Sequence, residues 1–171
     1  IILNFTVPIF IGNLFQQFYS MADTVIVGKF VGTGALAAVG SVGTIMFLIL
    51  GFLQGLTAGF SVLTAQRYGA QDMNSMRKTV GTAAVLSLIV TVVMTAGSML
   101  GMHSLLEFMN TPEDIFQDAY TYIMIICAGT AATVLYNLLS GILRALGDSK
   151  TPLYFLILSA ALNIGLDLVF I

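Results

Sequence analysis

Residues 30–66 read FVGTGALAAVGSVGTIMFLILGFLQGLTAGFSVLTAQ, and they contain no Asp, Glu, Lys or Arg. About 20 helical residues cross the roughly 30 Å hydrocarbon core of a bilayer. This uncharged run is therefore long enough to span a membrane. We predict one long helix here, after a turn at residues 32–34, rather than two spans and a loop. Its glycines would let it bend or pack closely against a neighbour; they stand at positions 40, 43, 51, 55 and 59.

The whole chain has the composition of a membrane protein. It is 58% hydrophobic and only 8% charged, whereas an ordinary soluble domain has about 25% charged residues. Charges divide the sequence into five apolar blocks, which predict spans at about 3–28, 35–66, 79–102, 117–143 and 152–171. We therefore predict an all-α membrane protein, a polytopic bundle of transmembrane helices in a lipid bilayer, and exclude a nucleic-acid partner.

Both ends of the chain suggest a fragment. It starts at Ile1 without a methionine, and it stops at Ile171 inside an apolar run. We therefore expect residues 1–171 to be part of a longer membrane protein.

Local signals predict where two helices start. Thr111-Pro112-Glu113-Asp114 offers a threonine N-cap, a proline at the first helical position and acids in the first turn. Thr151-Pro152 repeats the threonine and the proline.

The loop charges predict the orientation. Residues 67–78 and 144–150 carry five basic residues, whereas the loop from Met102 to Gln117 has no Lys or Arg. Because basic loops stay in the cytoplasm, we predict a multi-pass protein of the cytoplasmic membrane with its amino end in the cytoplasm.

Polar residues of the first span lie on one helical face. At 100° per residue they cover an arc of about 120°, and they are Asn13, Gln16, Gln17, Ser20, Asp23 and Thr24. Tyr19 flanks this face, four residues before Asp23. The face is either hydrogen-bonded to neighbouring helices or the wall of a substrate or ion cavity, and its width favours the cavity.

Two buried aspartates are the strongest functional candidates. An acid at the bilayer centre costs roughly 2.5 to 3.5 kcal/mol on insertion scales. On the fifth span Asn163 and Asp167 are four residues apart, so they share one helical face. With Asp23 they could form a cage of oxygens for a proton or a Na⁺ ion. The alternative is an interhelical hydrogen-bond clamp that binds no ligand.

Other polar residues give weaker signals. Asn137 and Ser140 share a face of the fourth span and could line the same cavity. Arg144 and Asp148, four residues apart, predict a surface ion pair. His103 stands near a helix end without a second ligand at metal spacing, so we interpret it as an interfacial residue. No catalytic or phosphate-binding motif is present, so we expect neither an enzyme nor a cofactor.

Several segments together resemble the amino-terminal half of the multidrug and toxic compound extrusion (MATE) family, in its DinF-like branch. They are PIFIGNLFQQFYSMADTVIVGKFVGTGALAAVG from Pro8, AQRYGAQD at 65–72, LLSGILRALGDSKTP at 138–152 and LNIGLDLVFI at 162–171. The resemblance implies five of twelve helices, all in the amino-terminal lobe. It also implies a missing carboxy-terminal lobe of the same protein as the partner.

The resemblance further implies a mechanism and roles for individual residues. Family members exchange an inward-moving proton or Na⁺ for a small, often cationic, drug-like molecule, by alternating access. Asp23 matches the acid of the family's first helix, with Gln16 and Tyr19 in the same motif. Asn137, Asn163 and Asp167 match the polar network around the ion site of the DinF-like branch.

Two other functions stay open. A lipid-linked oligosaccharide flippase has a related architecture, but such carriers tend to need a basic cavity for phosphate, and no Lys or Arg lies within a predicted span. A non-transporting scaffold subunit would use the polar residues only to hold helices together.

Overall fold

The computed structural model describes residues 2–26, 28–29 and 33–170. Within these ranges, the side chains at positions 2, 4, 5, 19, 23, 33, 35, 36, 167, 168 and 170 are outside the description. The described residues form five α-helices, which are α1 (Ile2–Ile26), α2 (Thr33–Gly69), α3 (Met73–Phe108), α4 (Glu113–Ala145) and α5 (Lys150–Phe170). The all-α fold is confirmed, and α2 is one unbroken helix as predicted.

The helices have the length and the surface of a membrane protein. Three described segments are long and apolar enough to cross a bilayer, namely Ala37–Gly69, Met73–Phe108 and Glu113–Ala145. Large apolar side chains such as Phe47, Leu88 and Leu100 are mostly exposed. An apolar surface of this extent would be a liability in water, so we assign it to lipid.

The fold has two parts. Helices α2, α3 and α4 pack against one another and form what we call the three-helix bundle. Helices α1 and α5 pack against each other as an outer pair, and α5 also contacts α4 along a shorter stretch. The main apolar core lies inside the three-helix bundle, where Met102 and Leu106 of α3 are buried between α2 and α4.

Two ends of the molecule differ in charge. We call the end with residues 67–78 and 144–150 the basic end, and the end with residues 107–118 the acidic end. The apolar core lies toward the acidic end, because Ile45 of α2 and Ile123 of α4 belong to it.

Three helices end in the same type of turn. Gln71, Asn110 and Gly147 each follow a helix end and have φ values of 61°, 53° and 93°. In each turn the next N–H donates to the carbonyl five residues earlier, as from Asp148 to Leu143 at 2.9 Å. This is the Schellman arrangement, which stops a helix and satisfies its last carbonyls.

The predicted threonine caps are wrong at both positions. Pro112, not Thr111, precedes α4, and no side chain caps that helix. Helix α5 begins at Lys150, so Thr151 lies inside its first turn. Its cap is Asp148, whose Oδ1 accepts the N–H groups of Lys150 and Thr151, both at 3.0 Å.

The start of α2 also differs from the prediction. Thr33 and Gly34 are helical, so the predicted turn does not extend to them. Gly32 lies outside the described residues.

Close helix packing occurs at other glycines than expected. A Cβ added at any of the five glycines of α2 singled out above would meet nothing within 4 Å in the described structure. A Cβ at Gly141 of α4 would instead collide with the hydroxyl of Ser61 on α2. Among the described glycines of the three-helix bundle, the tight contact is therefore at Gly141, near the basic end.

Buried hydroxyls of the three-helix bundle are mostly satisfied within their own helices. Thr57, Thr64, Thr91 and Thr130 each donate to the carbonyl four residues earlier. Ser and Thr can be buried in helices in this way without a partner on another helix. These residues therefore do not act as interhelical clamps.

Candidate functional site

A cleft of about 560 Å³ separates the outer pair from helices α2 and α4. It lies toward the basic end, because its walls come from the first half of α1 and α5 and the second half of α2 and α4. We call this space the cleft. Its polar lining residues are Asn13, Gln16, Gln54, Thr57, Ser61, Tyr136, Asn137, Arg144 and Ser149.

Two residues predicted to line a cavity do line the cleft. Gln16 reaches it from α1 and Asn137 reaches it from α4. Ser140, the third such residue, is only 3% exposed and is not part of the lining. The structure thus brings Gln16 and Asn137 to one space and leaves Ser140 in the packed interior.

Asn163 of α5 has an unusual environment for an amide. Its Oδ1 is buried, and no described residue donates a hydrogen bond to it. Leaving a buried acceptor unsatisfied costs about 1 to 3 kcal/mol. A ligand that reaches Oδ1, such as a cation or a protonated acid, would remove that cost.

Three predicted site residues have side chains outside the described part. Tyr19 and Asp23 lie on α1, and Asp167 lies on α5, one helical turn after Asn163. Among the described residues no group of three His, Cys, Asp or Glu side chains could hold a metal ion. The Na⁺ site at Asp23, Asn163 and Asp167 therefore stays a prediction.

The polar face of α1 is exposed. Asn13, Gln16 and Gln17 are exposed, and Ser20 and Thr24 donate to carbonyls of α1 itself. An exposed polar face cannot lie against lipid at low cost. This face therefore requires water or further protein next to it.

Tyr136 links the three-helix bundle to the outer pair. Its hydroxyl donates to the carbonyl of Pro152 at 3.2 Å, and both residues line the cleft. Sequence reasoning missed Tyr136 and also Gln54, which faces the cleft from α2. The sequence did contain a signal that Gln54 faces a polar space, because Gln54 is the one amide side chain inside the apolar run from residue 30 to residue 65.

Arg144 lies in the cleft wall and not in the predicted surface pair. Its side chain is half-buried, and no described carboxylate lies within ion-pair distance of it. Asp148 instead caps α5, where hydrogen bonds from Thr151 hold the pKa of the Asp148 carboxyl below its usual value. The predicted pairing of Arg144 with Asp148 is wrong, because the turn at Gly147 carries Asp148 to the next helix.

Asp72 has the same role in the other turn at the basic end. Its Oδ1 accepts the N–H of Ser75 at 3.0 Å and caps α3. Hydrogen bonds from Ser75 lower the pKa of this carboxyl as well. Both aspartates of the basic end are therefore occupied by helix caps.

His103 lies at the acidic end, on the surface. Its side chain is 60% exposed, and its Nδ1 is 3.5 Å from Oε1 of Glu107. The imidazole also makes edge contacts with Phe116 and Tyr120 of α4. The position of His103 at the membrane–water interface stays a prediction.

Comparison with known proteins identifies the family. The sequence matches the MatE family over residues 8–169. It is 33% identical over 162 residues to the probable multidrug resistance protein YoeA of Bacillus subtilis, covering 95% of this chain and 35% of that protein. It is also 33% identical over 167 residues to the probable multidrug resistance protein YpnP of Bacillus subtilis, covering 98% of this chain and 38% of that protein.

A solved structure has the same arrangement of helices. It is a transporter of the MOP superfamily from Pyrococcus furiosus, for which a reverse polarity of the binding pocket suggests a different function. The TM-score is 0.93 at 31% identity, over 99% of this chain and 37% of that one. The chain thus spans little more than a third of the length of these relatives, which is consistent with the predicted amino-terminal lobe fragment.

Proposed function

This chain belongs to the MATE family of transporters, and from that premise we propose that the complete protein exports drug-like organic molecules in exchange for an inward-moving proton or Na⁺. Transport would occur across the cytoplasmic membrane, with the amino end and the basic end in the cytoplasm. The protein would work without an enzymatic step and without a cofactor.

The buried Oδ1 of Asn163 carries the proposal. It is an acceptor with no partner among the described residues, and a carboxylate-bearing residue, Asp167, follows one turn later on α5. Carbonyl and carboxylate oxygens suit hard cations, and a buried aspartate can take up and release a proton. We therefore propose Asp23, Asn163 and Asp167 as the coupling site.

The exposed polar face of α1 supports a second element of the proposal. Asn13, Gln16 and Gln17 are exposed, and the first two also line the cleft. In the complete transporter we place the carboxy-terminal lobe across from this face, with a water-filled path between the two lobes. Gln16 and Asn137, with Tyr19, would contact the exported molecule on that path. Ser140, which is buried, would support Gly141 and the α2–α4 contact instead.

The test uses the complete protein in lipid vesicles loaded with a fluorescent dye. A pH gradient and a Na⁺ gradient are imposed separately, and dye efflux is measured for the wild type and for Asp23→Asn. We expect at least one gradient to drive efflux. Asp23→Asn should lower it by more than about tenfold, because the amide cannot exchange a proton or balance a cation's charge.

The matched control is Asp114→Asn, which removes a carboxylate from the exposed first turn of α4. It should leave gradient-driven efflux within about twofold of the wild type, as surface substitutions usually change little. If neither gradient drives efflux by the wild type, the coupling mechanism is wrong. If Asp23→Asn retains full coupled efflux at normal expression, the scaffold alternative gains support instead.

A further inference from the structure

We propose that the cleft is a binding subsite for an anionic group, a phosphate or a carboxylate, and that Arg144 is its anchor. The inference deepens the proposed function and rests on it, because it assigns a charge to part of the molecule that the transporter binds. It also revises the expectation of a mainly cationic cargo.

The charge of the lining is the first argument. Arg144 is the one residue with a full charge among the described residues that line the cleft, and no described carboxylate lines it. Carboxylates and clusters of aromatic rings favour a bound cation, but the described lining has no carboxylate and one aromatic ring, that of Tyr136. The charge of the described lining is positive, and a positive lining suits an anion.

The missing partner of Arg144 is the second argument. The guanidinium is half-buried without an ion pair or hydrogen bond to any described residue. Charged groups that are partly removed from water are normally paired. Asp148, the nearest carboxylate in sequence, is held by the cap of α5. The cation is therefore free to pair with a ligand.

The chemistry of the guanidinium limits the classes of ligand that Arg144 can anchor. Its planar set of N–H donors matches the two oxygens of a carboxylate or phosphate, and it binds them through two parallel hydrogen bonds. Asn13, Gln54 and Asn137 add amide N–H donors from three helices, and none of these amides has a partner among the described side chains. The same amides can bind the hydroxyls or carbonyls of the rest of the ligand.

The size of the cleft fits an organic anion. Sites for small organic ligands have volumes of about 300 to 1,000 Å³, and the cleft has about 560 Å³.

The subsite is separate from the proposed coupling site. Gln16 lines the cleft and Asp23 follows it by seven residues, which is a rise of about 10 Å along an α-helix. The same number of residues separates Leu156, in the cleft wall, from Asn163. An anionic group at Arg144 and a coupling ion at Asp23 and Asn163 can therefore be bound at the same time.

The test compares two probes that differ only in a phosphate. Riboflavin and flavin mononucleotide are titrated onto the complete protein in nanodiscs of neutral phosphatidylcholine, and flavin fluorescence reports binding. We expect flavin mononucleotide to bind at least about tenfold more tightly, as one charged hydrogen-bonded pair allows. Arg144→Gln should abolish this preference, and Arg144→Lys should retain part of it.

The matched control is Lys150→Gln, which removes a cation from the basic end at an exposed residue outside the cleft lining. It should leave the preference for flavin mononucleotide within about twofold of the wild type. Equal thermal unfolding midpoints of the wild type and Arg144→Gln show that the variant is folded. A preference lost equally in both variants would overturn the assignment of Arg144 as anchor.

A second arm separates a soluble anion from a lipid headgroup. Nanodiscs that contain phosphatidylglycerol are compared with neutral ones, and native mass spectrometry counts retained phosphatidylglycerol. If the headgroup occupies the subsite, phosphatidylglycerol should displace flavin mononucleotide, and Arg144→Gln should reduce its retention. If neither flavin mononucleotide nor phosphatidylglycerol binding depends on Arg144, the subsite proposal is wrong.

The anion-binding test and the efflux test can fail independently of each other. Gradient-driven dye efflux without any anion preference refutes the subsite alone. An Arg144-dependent anion preference without gradient-driven efflux refutes the coupling mechanism and leaves the subsite standing.

Discussion

Most buried hydroxyls of the three-helix bundle, with the exception of Ser87, are satisfied within their own helices, whereas amides of the outer pair lack described partners. Inside the bundle, Thr57 and Thr130 are buried and each donates to a carbonyl of its own helix. In the outer pair, Gln16 is exposed and Asn163 keeps a buried oxygen without a described donor. Polar residues that satisfy themselves serve packing, whereas polar residues left without partners are available to a ligand.

The two parts also differ in how closely their helices approach. Helices α2 and α4 meet at Gly141, where any added Cβ collides with Ser61. Helices α1 and α5 meet at Gly12, where an added Cβ would lie 3.5 Å from Leu156 and 3.6 Å from Leu153, which is ordinary contact. The α2–α4 contact at Gly141 therefore leaves no room for a methyl group, whereas the α1–α5 contact at Gly12 does.

The largest effect that tests this contrast is expected from Asn163→Leu. The substitution removes from the proposed coupling site an oxygen that has no donor among the described residues, and it fills the place with an apolar side chain. We expect gradient-driven efflux to fall by more than about tenfold, because the coupling ion loses a ligand. The midpoint of thermal unfolding should stay or rise, since replacing an unsatisfied polar group by an apolar one of similar shape is neutral or stabilising.

The matched variant in the bundle is Ser87→Ala. Ser87 Oγ is the other buried polar side-chain atom without a partner among the described residues, but it lies outside the cleft lining. Both efflux and thermal stability should remain near the wild-type values. Efflux unchanged in Asn163→Leu, together with a lower unfolding midpoint, would mean that Asn163 has a structural role.

Much of the scaffold was predictable from the sequence. The absence of charge in residues 30–66 predicted α2 as one helix, and helical spacing placed Gln16 on the face of α1 that reaches the cleft. These features depend on hydropathy and on the period of the α-helix. Both are properties of single segments, so no knowledge of the tertiary structure was needed.

The turns were not predictable in the same way. Thr111 and Thr151 satisfy the rules for an N-cap, yet neither caps a helix, because the preceding Schellman turns set where the next helix begins. The predicted pairing of Arg144 with Asp148 assumed a continuous helix. Gly147, at a φ of 93°, ends that helix between them. Helical spacing says nothing about side chains beyond such a turn.

A smaller effect is expected from Gly141→Ala, which probes the tight contact in the bundle. The new methyl group overlaps the hydroxyl of Ser61 and crowds its Cβ, so either Ser61 rotates and loses its hydrogen bond to the Thr57 carbonyl, or helices α2 and α4 shift. Overpacking of this kind typically costs about 1 to 3 kcal/mol. The midpoint of thermal unfolding in detergent should fall accordingly, and the double variant with Ser61→Ala should recover part of the loss.

Gly12→Ala is the corresponding change in the outer pair. Its methyl group would make ordinary contacts with two leucine side chains, and alanine favours the helix over glycine by roughly 0.5 to 1 kcal/mol. We therefore expect no loss of stability, or a slight gain. Equal destabilisation by both variants would contradict the difference in packing between these two helix contacts.

The smallest effect is expected at the two aspartate caps, of which Asp72 lies within the bundle and Asp148 joins the bundle to the outer pair. Both carboxyls have a pKa below the usual value because the side-chain hydroxyl and then the backbone N–H of Ser75 or Thr151 donate to the charged form. A lowered folded-state pKa stabilises the fold above the unfolded-state pKa of about 3.9. That stability is lost as the pH falls through the folded-state pKa.

Asp72→Ala and Asp148→Ala should therefore lower the unfolding midpoint at pH 7, and the difference from the wild type should shrink as the pH falls from 5 toward 2. Asp148→Ala should have the larger effect, because Asp148 accepts two N–H groups and Asp72 accepts one. Asp72→Ser keeps an uncharged cap, so its midpoint should exceed that of Asp72→Ala by an amount that does not depend on pH. A difference between wild type and Asp148→Ala that stays constant down to pH 2 would show that the carboxylate charge does not stabilise the junction between the bundle and the outer pair.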